Sequence, residues 1–236
     1  SAGNTGAYMA LAKIILKTCD GIDRPAIAGI LPNATSTSIM LDMGANVECS
    51  PDILFQFALM GEVFARIMLH KEKPTVGLLN IGEEQLKGNA VVREAHALIK
   101  ENIKNSHYHG FIEGDDIMKG TTDVIVTDGF TGNVSLKTVE GTVKFFTGFL
   151  KDEIGKSKMA KFGALLAQKT FRGIKEFLDP RKYNGALLIG LNGVVVKSHG
   201  GTDDFGFSRS IHVAYELAKE DVVSQVKKEL SALMVD

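Results

Sequence analysis

The sequence predicts an α/β protein in which a mostly parallel sheet is flanked by helices. Short apolar runs alternate along the chain with stretches of helical periodicity, a pattern typical of strands joined by helices. Loops rich in Gly, Asn and Asp follow these runs, as expected where a strand turns into a helix. With 236 residues, 44% of them hydrophobic and 23% charged, the chain is large enough to bury a core.

The first predicted element is a helix over residues 7–17, which follows the uncharged loop SAGNTG. Small residues let the backbone approach a ligand closely, and a helix N-terminus presents unpaired N–H groups, so this loop could cradle an anion. The alternative is ordinary helix capping by Asn or Thr, which the loop taken alone favours.

Four strand–loop–helix units follow. In the first three, strands are predicted at 38–41, 75–81 and 123–127, with helices over 52–69, up to about 102 and from about 134. The last unit begins as a hairpin, because an Asn192-Gly193 turn separates apolar runs at 187–191 and 194–197. A helix through residue 228 completes it.

The loops after the strands are the expected ligand site, since ligands of such sheets bind beyond the carboxyl ends of the strands. We predict that five of these loops meet at one crevice. The candidate substrate-binding residues in them are Gly3, Asn4, Thr5, Gly6, Asn46, Asn89, Asp128 and Thr131. The candidate catalytic residues are Lys87, Asn133, Lys137 and His199.

The residue types in these loops favour direct transfer between two bound substrates. There is no GxSxG motif and no cysteine beside a histidine, so a covalent enzyme intermediate is not suggested. Amides, hydroxyls and lysines instead suit anion binding and oxyanion stabilisation. His199 is the only imidazole in such a loop, and it could act as an acid, a base or an anion partner.

The other candidates also have structural alternatives. Asn46, Asn89 and Asn133 could cap helices or shape turns. Lys87 and Lys137 could be solvated surface charges.

Residues 144–177 differ from the rest of the chain and are predicted as a helical hairpin. They hold six of the thirteen phenylalanines and eight Lys or Arg against three Asp or Glu, a local charge of +5. Phe162, Leu165 and Leu166 share one helix face. This segment either packs against other protein or forms a basic amphipathic surface for anionic lipid or an acidic partner.

Composition excludes several other classes. The net charge of −1 gives no general attraction to nucleic acid. Cys19 and Cys49 lack the spacing of a disulfide framework or zinc site, and we predict no metal and no cofactor. No run is apolar enough for a transmembrane helix, so a cytoplasmic protein is expected, with peripheral attachment to the inner face of a membrane left open.

Six stretches occur together in order: SAGNTGA, GIDRPA, LDMGANVE, GLLNIGEEQLKGN, VTDGFTGNVSLKTVEG and LLIGLNGVVVKSHG. In this order and spacing they resemble the PlsX family, the phosphate acyltransferases of bacterial phospholipid synthesis. The resemblance covers residues 1–220.

The resemblance implies an enzyme that makes acyl-phosphate from acyl-acyl-carrier-protein and inorganic phosphate, without a cofactor. It implies a fold like that of isocitrate and isopropylmalate dehydrogenases and of phosphotransacetylases, and a homodimer. The hairpin would project and attach to a membrane surface or a partner.

The same resemblance suggests roles for the candidate residues. The glycine-rich loop and Lys87 or Lys137 are expected to hold phosphate, while Asn133 and neighbouring N–H groups polarise the thioester carbonyl. His199 would orient phosphate or protonate the leaving thiolate.

Two departures from the family pattern carry expectations. The family's Asp-Ala-Met-Gly-Gly-Asp motif is absent, so an N-terminal part of the natural protein is expected to be missing. Where the family often has Tyr-Gly-Gly-Ala, this chain has Asn184, which is predicted to adopt a conformation that Asn tolerates, such as the left-handed region.

Two other functions remain open from the sequence. The first is a phosphotransacetylase-like reaction that uses acyl-CoA. The second is a non-catalytic module that binds a membrane or a carrier protein.

Overall fold

The computed structural model describes residues 1–103 and 107–233. The chain divides into two compact units, the first formed by the described residues of Ser1–Asn133 and Arg181–Asp236 and the second by Val134–Pro180. The first unit contains the sheet, and the second is helical.

The described residues of the first unit form a seven-stranded sheet in the order β4-β3-β5-β2-β1-β6-β7. Its strands are β1 (Ala26–Pro32), β2 (Thr37–Leu41), β3 (Thr75–Leu79), β4 (His107–Ile112), β5 (Val124–Val126), β6 (Ala186–Ile189) and β7 (Val196–Lys197).

The predicted mostly parallel sheet is corrected to a mixed sheet. The pairs β4-β3, β3-β5 and β5-β2 are parallel, whereas β2-β1, β1-β6 and β6-β7 are antiparallel. Sequence analysis missed β1, which joins β2 through a turn too short for a parallel crossover. The side chain of Asn33 shapes that turn by accepting from the N–H groups of Thr35 and Ser36. The predicted hairpin of β6 and β7 is confirmed.

Helices connect and cover the strands. They are α1 (Thr5–Leu16), α2 (Pro51–Leu69), α3 (Ala90–Asn102), α4 (Asp116–Lys119), α5 (Gly129–Lys156), α6 (Lys158–Leu166), α7 (Gln168–Phe177), α8 (Asp204–Lys219) and α9 (Val222–Leu233), with a 3₁₀ turn at Pro180–Tyr183.

The predicted helices over 7–17 and 52–69 agree with α1 and α2. The helix expected from about 134 begins earlier, at Gly129, so most of the predicted loop DGFTGN is the first turn of α5. The final predicted helix is divided into α8 and α9, because Asp221 has a positive φ of 49°.

The core lies on both faces of the sheet. On one face, α2 buries Leu54, Phe57 and Phe64. On the other face, Ala12 of α1 packs with Ile27 and other side chains of the antiparallel half. The two faces alternate along β1, as the period of two in a strand requires.

The second unit contains α6, α7 and most of α5. Neither α6 nor α7 has a buried residue. On α5, Phe145 and Phe149 stack with 6.2 Å between ring centroids, and both remain exposed. This unit therefore displays aromatic surface instead of burying it.

Candidate active site

The loops that follow β2, β5 and β3 come to one edge of the sheet. These three strands are parallel neighbours, so their carboxyl ends coincide. The loops are residues 42–50, 127–128 and 80–89. Part of the predicted crevice is thereby assembled within the first unit. The loop after β7, which carries His199, is not part of it, because β7 runs opposite to these three strands and ends at the other edge of the sheet. The prediction that five loops meet at one crevice is wrong for this loop.

Asp42 is fully buried and organises the loop after β2. Its carboxylate accepts hydrogen bonds of 2.6 to 3.1 Å from the N–H groups of Ile27, Gly44, Ala45 and Asn46 and from the Asn46 side chain. Burial raises the pKa of the Asp42 carboxyl, and these donors offset the rise only in part. One carboxylate therefore fixes the course of residues 42–46, which we call the Asp42 loop.

Asn46 is also buried, and its amide supports the loop from within. Its Nδ2 donates to the carbonyl of Pro25 at 2.8 Å and to Asp42 at 2.9 Å. The backbone carbonyl of Asn46 accepts a hydrogen bond from the N–H of Gly129 at 2.7 Å, which joins the start of α5 to the Asp42 loop. A Cβ at Gly132 would lie 1.9 Å from the carbonyl oxygen of Asp42, so this close approach requires glycine.

A cavity of about 300 Å³ lies at the carboxyl ends of β3 and β5. Three predicted site residues line it: Asn89, Asp128 and Thr131. Asp128 accepts from the N–H and the hydroxyl of Thr131, at 2.7 and 3.0 Å. Asn89 caps α3 by accepting from the N–H of Val92 at 2.9 Å.

Asn80 shapes the loop between β3 and α3, and sequence analysis missed it. Its Nδ2 donates to the carbonyls of Gly82 and Lys87, at 3.0 and 3.2 Å. Lys87 itself is exposed. Asn80 stands directly after a buried strand, in LLNIG, and this position is the signal that could have identified it.

The loop before α1 does cap the helix, so that part of the prediction is confirmed. Asn4 accepts from the N–H of Ala7 at 3.0 Å. Gly3, Asn4 and Gly6 are exposed, and the first turn of α1 contains no acidic residue. The anion cradle remains a prediction that this arrangement permits.

The start of the chain runs beside β7. Ser1 donates from its N to the carbonyl of Val196 at 3.0 Å and accepts from the N–H of Ser198 at 2.7 Å. In the sequence, Lys197 lies between Val196 and Ser198, and its Nζ donates a hydrogen bond to the carbonyl of Ser198 at 2.6 Å. Burial lowers the pKa of Lys197. This cation beside the loop of residues 1–6 was not among the predicted residues, although it stands in the quoted motif VVVKSHG.

Asn184 holds the loop that carries His199. Its Oδ1 accepts from the N–H of His199 at 2.9 Å. Its Nδ2 donates to Ser198, Thr202 and Gly206, at 2.8 to 3.3 Å. One amide thus connects the residues around β7 to the first turn of α8.

The backbone prediction for Asn184 is wrong. The positive φ lies at the next residue, Gly185, whose φ is 119°. The conformation that needs glycine is therefore one position after Asn184.

His199 is exposed, and its Nδ1 accepts from the N–H of Gly201 at 3.2 Å. This contact favours the neutral tautomer that carries its proton on Nε2. The ring can therefore offer Nε2–H to an anion or a leaving group.

The Asp42 loop packs on the core and on the start of α5. Met43 and Ala45 pack in the cluster that includes Tyr8 of α1. On the other side, a Cβ at Gly44 would lie 3.4 Å from the side chain of Asn133. The loop is thus in contact with the first turn of α5, which also lines the cavity.

Four predicted residues fall in the second unit. Lys137 is exposed, and its Nζ pairs with Glu140 at 2.8 Å. On α6, Phe162, Leu165 and Leu166 are each more than 60% exposed. Their predicted roles remain predictions.

Two further classes of site were searched within the part of the chain that the structure describes. None of its groups of His, Cys, Asp and Glu could hold a metal ion. None of its helices combines the length and the hydropathy needed to cross a bilayer.

We expect Cys49 to react slowly with iodoacetamide in the folded protein. Burial raises the pKa of its thiol to about 12, and the charges of Asp42 and Asp128 add to this effect. Because the thiolate is the reactive form, peptide mapping should find native Cys49 mostly unlabelled at pH about 8 and labelled once urea unfolds the chain. Equal labelling of native and unfolded protein would contradict this account.

Comparison with known proteins identifies the family. The family model described as "Fatty acid synthesis protein" matches residues 1–225. The chain belongs to this family.

Curated relatives of this chain carry the name Phosphate acyltransferase. That of Paramagnetospirillum magneticum is 52% identical over 233 residues, which are 99% of this chain and 66% of the relative. That of Rhodospirillum rubrum is 52% identical over 235 residues, which are 100% of this chain and 67% of the relative. The chain therefore spans about two thirds of the length of these relatives.

Solved phosphotransacetylases share the fold of this chain. The Streptococcus pyogenes phosphotransacetylase aligns with a TM-score of 0.60 at 16% identity, over 93% of this chain and 62% of that one. The EutD phosphotransacetylase of Staphylococcus aureus aligns with a TM-score of 0.55 at 18% identity, over 92% and 61%. The predicted likeness to phosphotransacetylases is confirmed as a likeness of fold.

Proposed function

We propose that this chain transfers an acyl group from a thioester to inorganic phosphate. The acyl donor is an acyl-acyl-carrier-protein, and the products are an acyl-phosphate and the free carrier protein. The observation that carries the proposal is the rigid Asp42 loop, which is in contact with the turn of α5 that also lines the cavity. The name of the curated relatives supports the same reaction.

We expect Lys87 to hold phosphate, because it lies in the loop after β3, at the same edge of the sheet as the start of α5. The N-terminus of α3 follows this loop, and its first turn contains no acidic residue, so it favours an anion. The loop of residues 1–6, which sequence analysis also proposed for phosphate, is an anion-binding candidate at the other edge of the sheet, beside β7 and Lys197.

Asn133 polarises the thioester carbonyl. Asn133 stands near the start of α5, and its side chain lies against Gly44 in the fixed backbone of the Asp42 loop. A donor held by a rigid support stabilises an oxyanion without reorganisation, which is the main source of such catalysis. His199 is proposed either to orient phosphate through Nε2–H or to protonate the leaving thiolate from its imidazolium form, which returns it to the neutral ring.

The reaction balances without a covalent enzyme intermediate. A phosphate oxygen forms a bond to the acyl carbon, and the carbon–sulfur bond breaks. The carrier-protein sulfur leaves as a thiolate and takes up a proton. That proton comes from the attacking hydrogen phosphate, from water or from an imidazolium, and the protein supplies positioning and charge.

The product of this reaction provides its test. We expect incubation with palmitoyl-acyl-carrier-protein and labelled phosphate to yield labelled palmitoyl-phosphate. Palmitoyl-CoA in a parallel reaction distinguishes the phosphotransacetylase-like alternative. Label incorporated from CoA alone would overturn the proposed donor, and no label from either donor would favour a binding module.

We further propose that the second unit attaches this cytoplasmic protein to an anionic membrane surface. Phe162, Leu165 and Leu166 are exposed on α6, and Lys158 and Lys161 lie on the same helix. A basic helix with an exposed apolar face binds anionic lipid at the level of the headgroups. We also propose that the protein acts as a homodimer. The acidic carrier protein would bind to the same positively charged surface.

The double variant Phe162→Glu/Leu166→Glu is expected to lower binding to phosphatidylglycerol vesicles more than about tenfold. Burying one Phe or Leu side chain contributes about 1.5 to 3 kcal/mol, and the new carboxylates also meet anionic lipid. Vesicle co-sedimentation measures the effect, with Ile211→Glu on α8 as an exposed control. Unchanged binding would refute the attachment, and conversion of a dimer to a monomer would assign the surface to the subunit interface.

A further inference from the structure

We propose that the cavity at the carboxyl ends of β3 and β5 holds the acyl chain of the donor and limits its length. This inference rests on the proposed function, because it assigns one part of the proposed substrate to a place in the structure. It concerns the cavity of about 300 Å³ between α2, α3, β3 and the start of α5.

The walls of the cavity suit an apolar ligand. Leu54 and Leu78 line it and are themselves almost completely buried, at 2% and 0% exposure. Val92 contributes from α3. These side chains belong to the main core or pack against it, so the walls are held in place by the fold.

The only ionisable side chain in the described lining argues against an anion in the same place. That residue is Asp128, and both of its oxygens accept hydrogen bonds from Thr131. A carboxylate at the wall repels phosphate, whereas it has no such effect on a hydrocarbon chain. The cavity is therefore suited to the uncharged part of the donor.

The position of the cavity matches the proposed chemistry. Thr131 lines it and lies two residues before Asn133 in the first turn of α5. The cavity thus lies beside the first turn of α5, in which the residue proposed to polarise the carbonyl also stands.

The size of the cavity gives the proposal a measurable consequence. A volume of about 300 Å³ corresponds to about ten water-sized groups and is at the lower end of ligand pockets. A short acyl chain leaves most of this space empty, whereas a long chain fills it. Reducing the space should therefore affect long donors and spare short ones.

The test compares Val92→Phe with the matched control Val91→Phe. Both residues are half-buried on α3, but only Val92 lines the cavity. Phosphate-dependent thiol release is measured with palmitoyl- and butyryl-acyl-carrier-protein. We expect Val92→Phe to lower the palmitoyl-to-butyryl ratio of kcat/KM by about tenfold or more, and Val91→Phe to leave it unchanged.

Binding of cis-parinaric acid, a fluorescent fatty acid, is the second measurement. We expect palmitate but not butyrate to displace it from the wild-type chain, and Val92→Phe to weaken it. Val92→Leu, a smaller change, serves if Val92→Phe does not fold.

The outcomes separate this inference from the proposed function. Normal wild-type release with an unchanged chain-length ratio in Val92→Phe overturns the acyl cavity and leaves the function standing. An equal change in Val91→Phe also overturns it. If wild type releases no thiol from any donor, the proposed function fails. In that case the binding measurement still tests the cavity, and equal binding of parinaric acid by wild type and the Val92 variant would overturn it as the acyl site.

Discussion

Replacing Asp42 by alanine is expected to lower the free energy of unfolding by about 3 to 5 kcal/mol, enough to unfold many domains of this size. The carboxylate is fully buried and receives five N–H donors, four from the backbone and one from the Asn46 side chain. Each buried donor left without an acceptor costs about 1 to 3 kcal/mol. Alanine would leave all five without this partner.

Urea unfolding measures the change in unfolding free energy, and two further variants serve as comparisons. Asp20 is an exposed residue, so Asp20→Ala should change the unfolding free energy by less than about 0.5 kcal/mol. Asp42→Asn keeps the shape but replaces one accepting oxygen by a donor, and it should lie between the two. A midpoint for Asp42→Ala close to that of wild type would show that the Asp42 loop does not depend on this carboxylate.

Replacing Asn133 by alanine is expected to reduce turnover about 100-fold to 1000-fold while leaving stability nearly unchanged. The side chain is exposed, so its removal opens no cavity in the core. The loss should appear in kcat, because the proposed contact to the oxyanion strengthens in the transition state. His199→Ala should also reduce turnover severely, since it removes Nε2–H from the loop that Asn184 holds.

Matched controls distinguish these roles from general damage. Asn102→Ala and His212→Ala change the same residue types at exposed positions on α3 and α8. They should retain normal rates, and circular dichroism should be the same for all four variants. Near-normal turnover in Asn133→Ala or His199→Ala would remove that residue from the mechanism.

The alternation of strands and helices could be predicted because each unit has its own local pattern. The parallel strands β2, β3 and β5 were placed correctly, and so was the hairpin at Asn192-Gly193. The first strand was missed because its apolar run, AIAGILP, has no alternation and is followed by no helix. Pairing direction depends on which strands become neighbours, and that information is not local.

The candidate site also combines residues that could be predicted from local sequence with residues that could not. Asn89, Asp128 and Thr131 were predicted from their positions after strands, and they line one cavity. Asp42 and Asn184 act through hydrogen bonds to residues that are remote in sequence, as far as 22 positions for Asn184. Periodicity and loop composition carry no signal for such contacts. The quoted motifs contained Asp42 and Lys197, but only the structure gives a reason to select them.

The most direct test of the account is phosphate-dependent release of free thiol from palmitoyl-acyl-carrier-protein. This chain is assayed beside the full-length phosphate acyltransferase of Rhodospirillum rubrum, which is 52% identical to it. The account predicts that the chain releases thiol, that release requires phosphate, and that Asn133→Ala suppresses it. Release by the relative alone would show that these loops are not sufficient for the chemistry and would contradict the proposed active site.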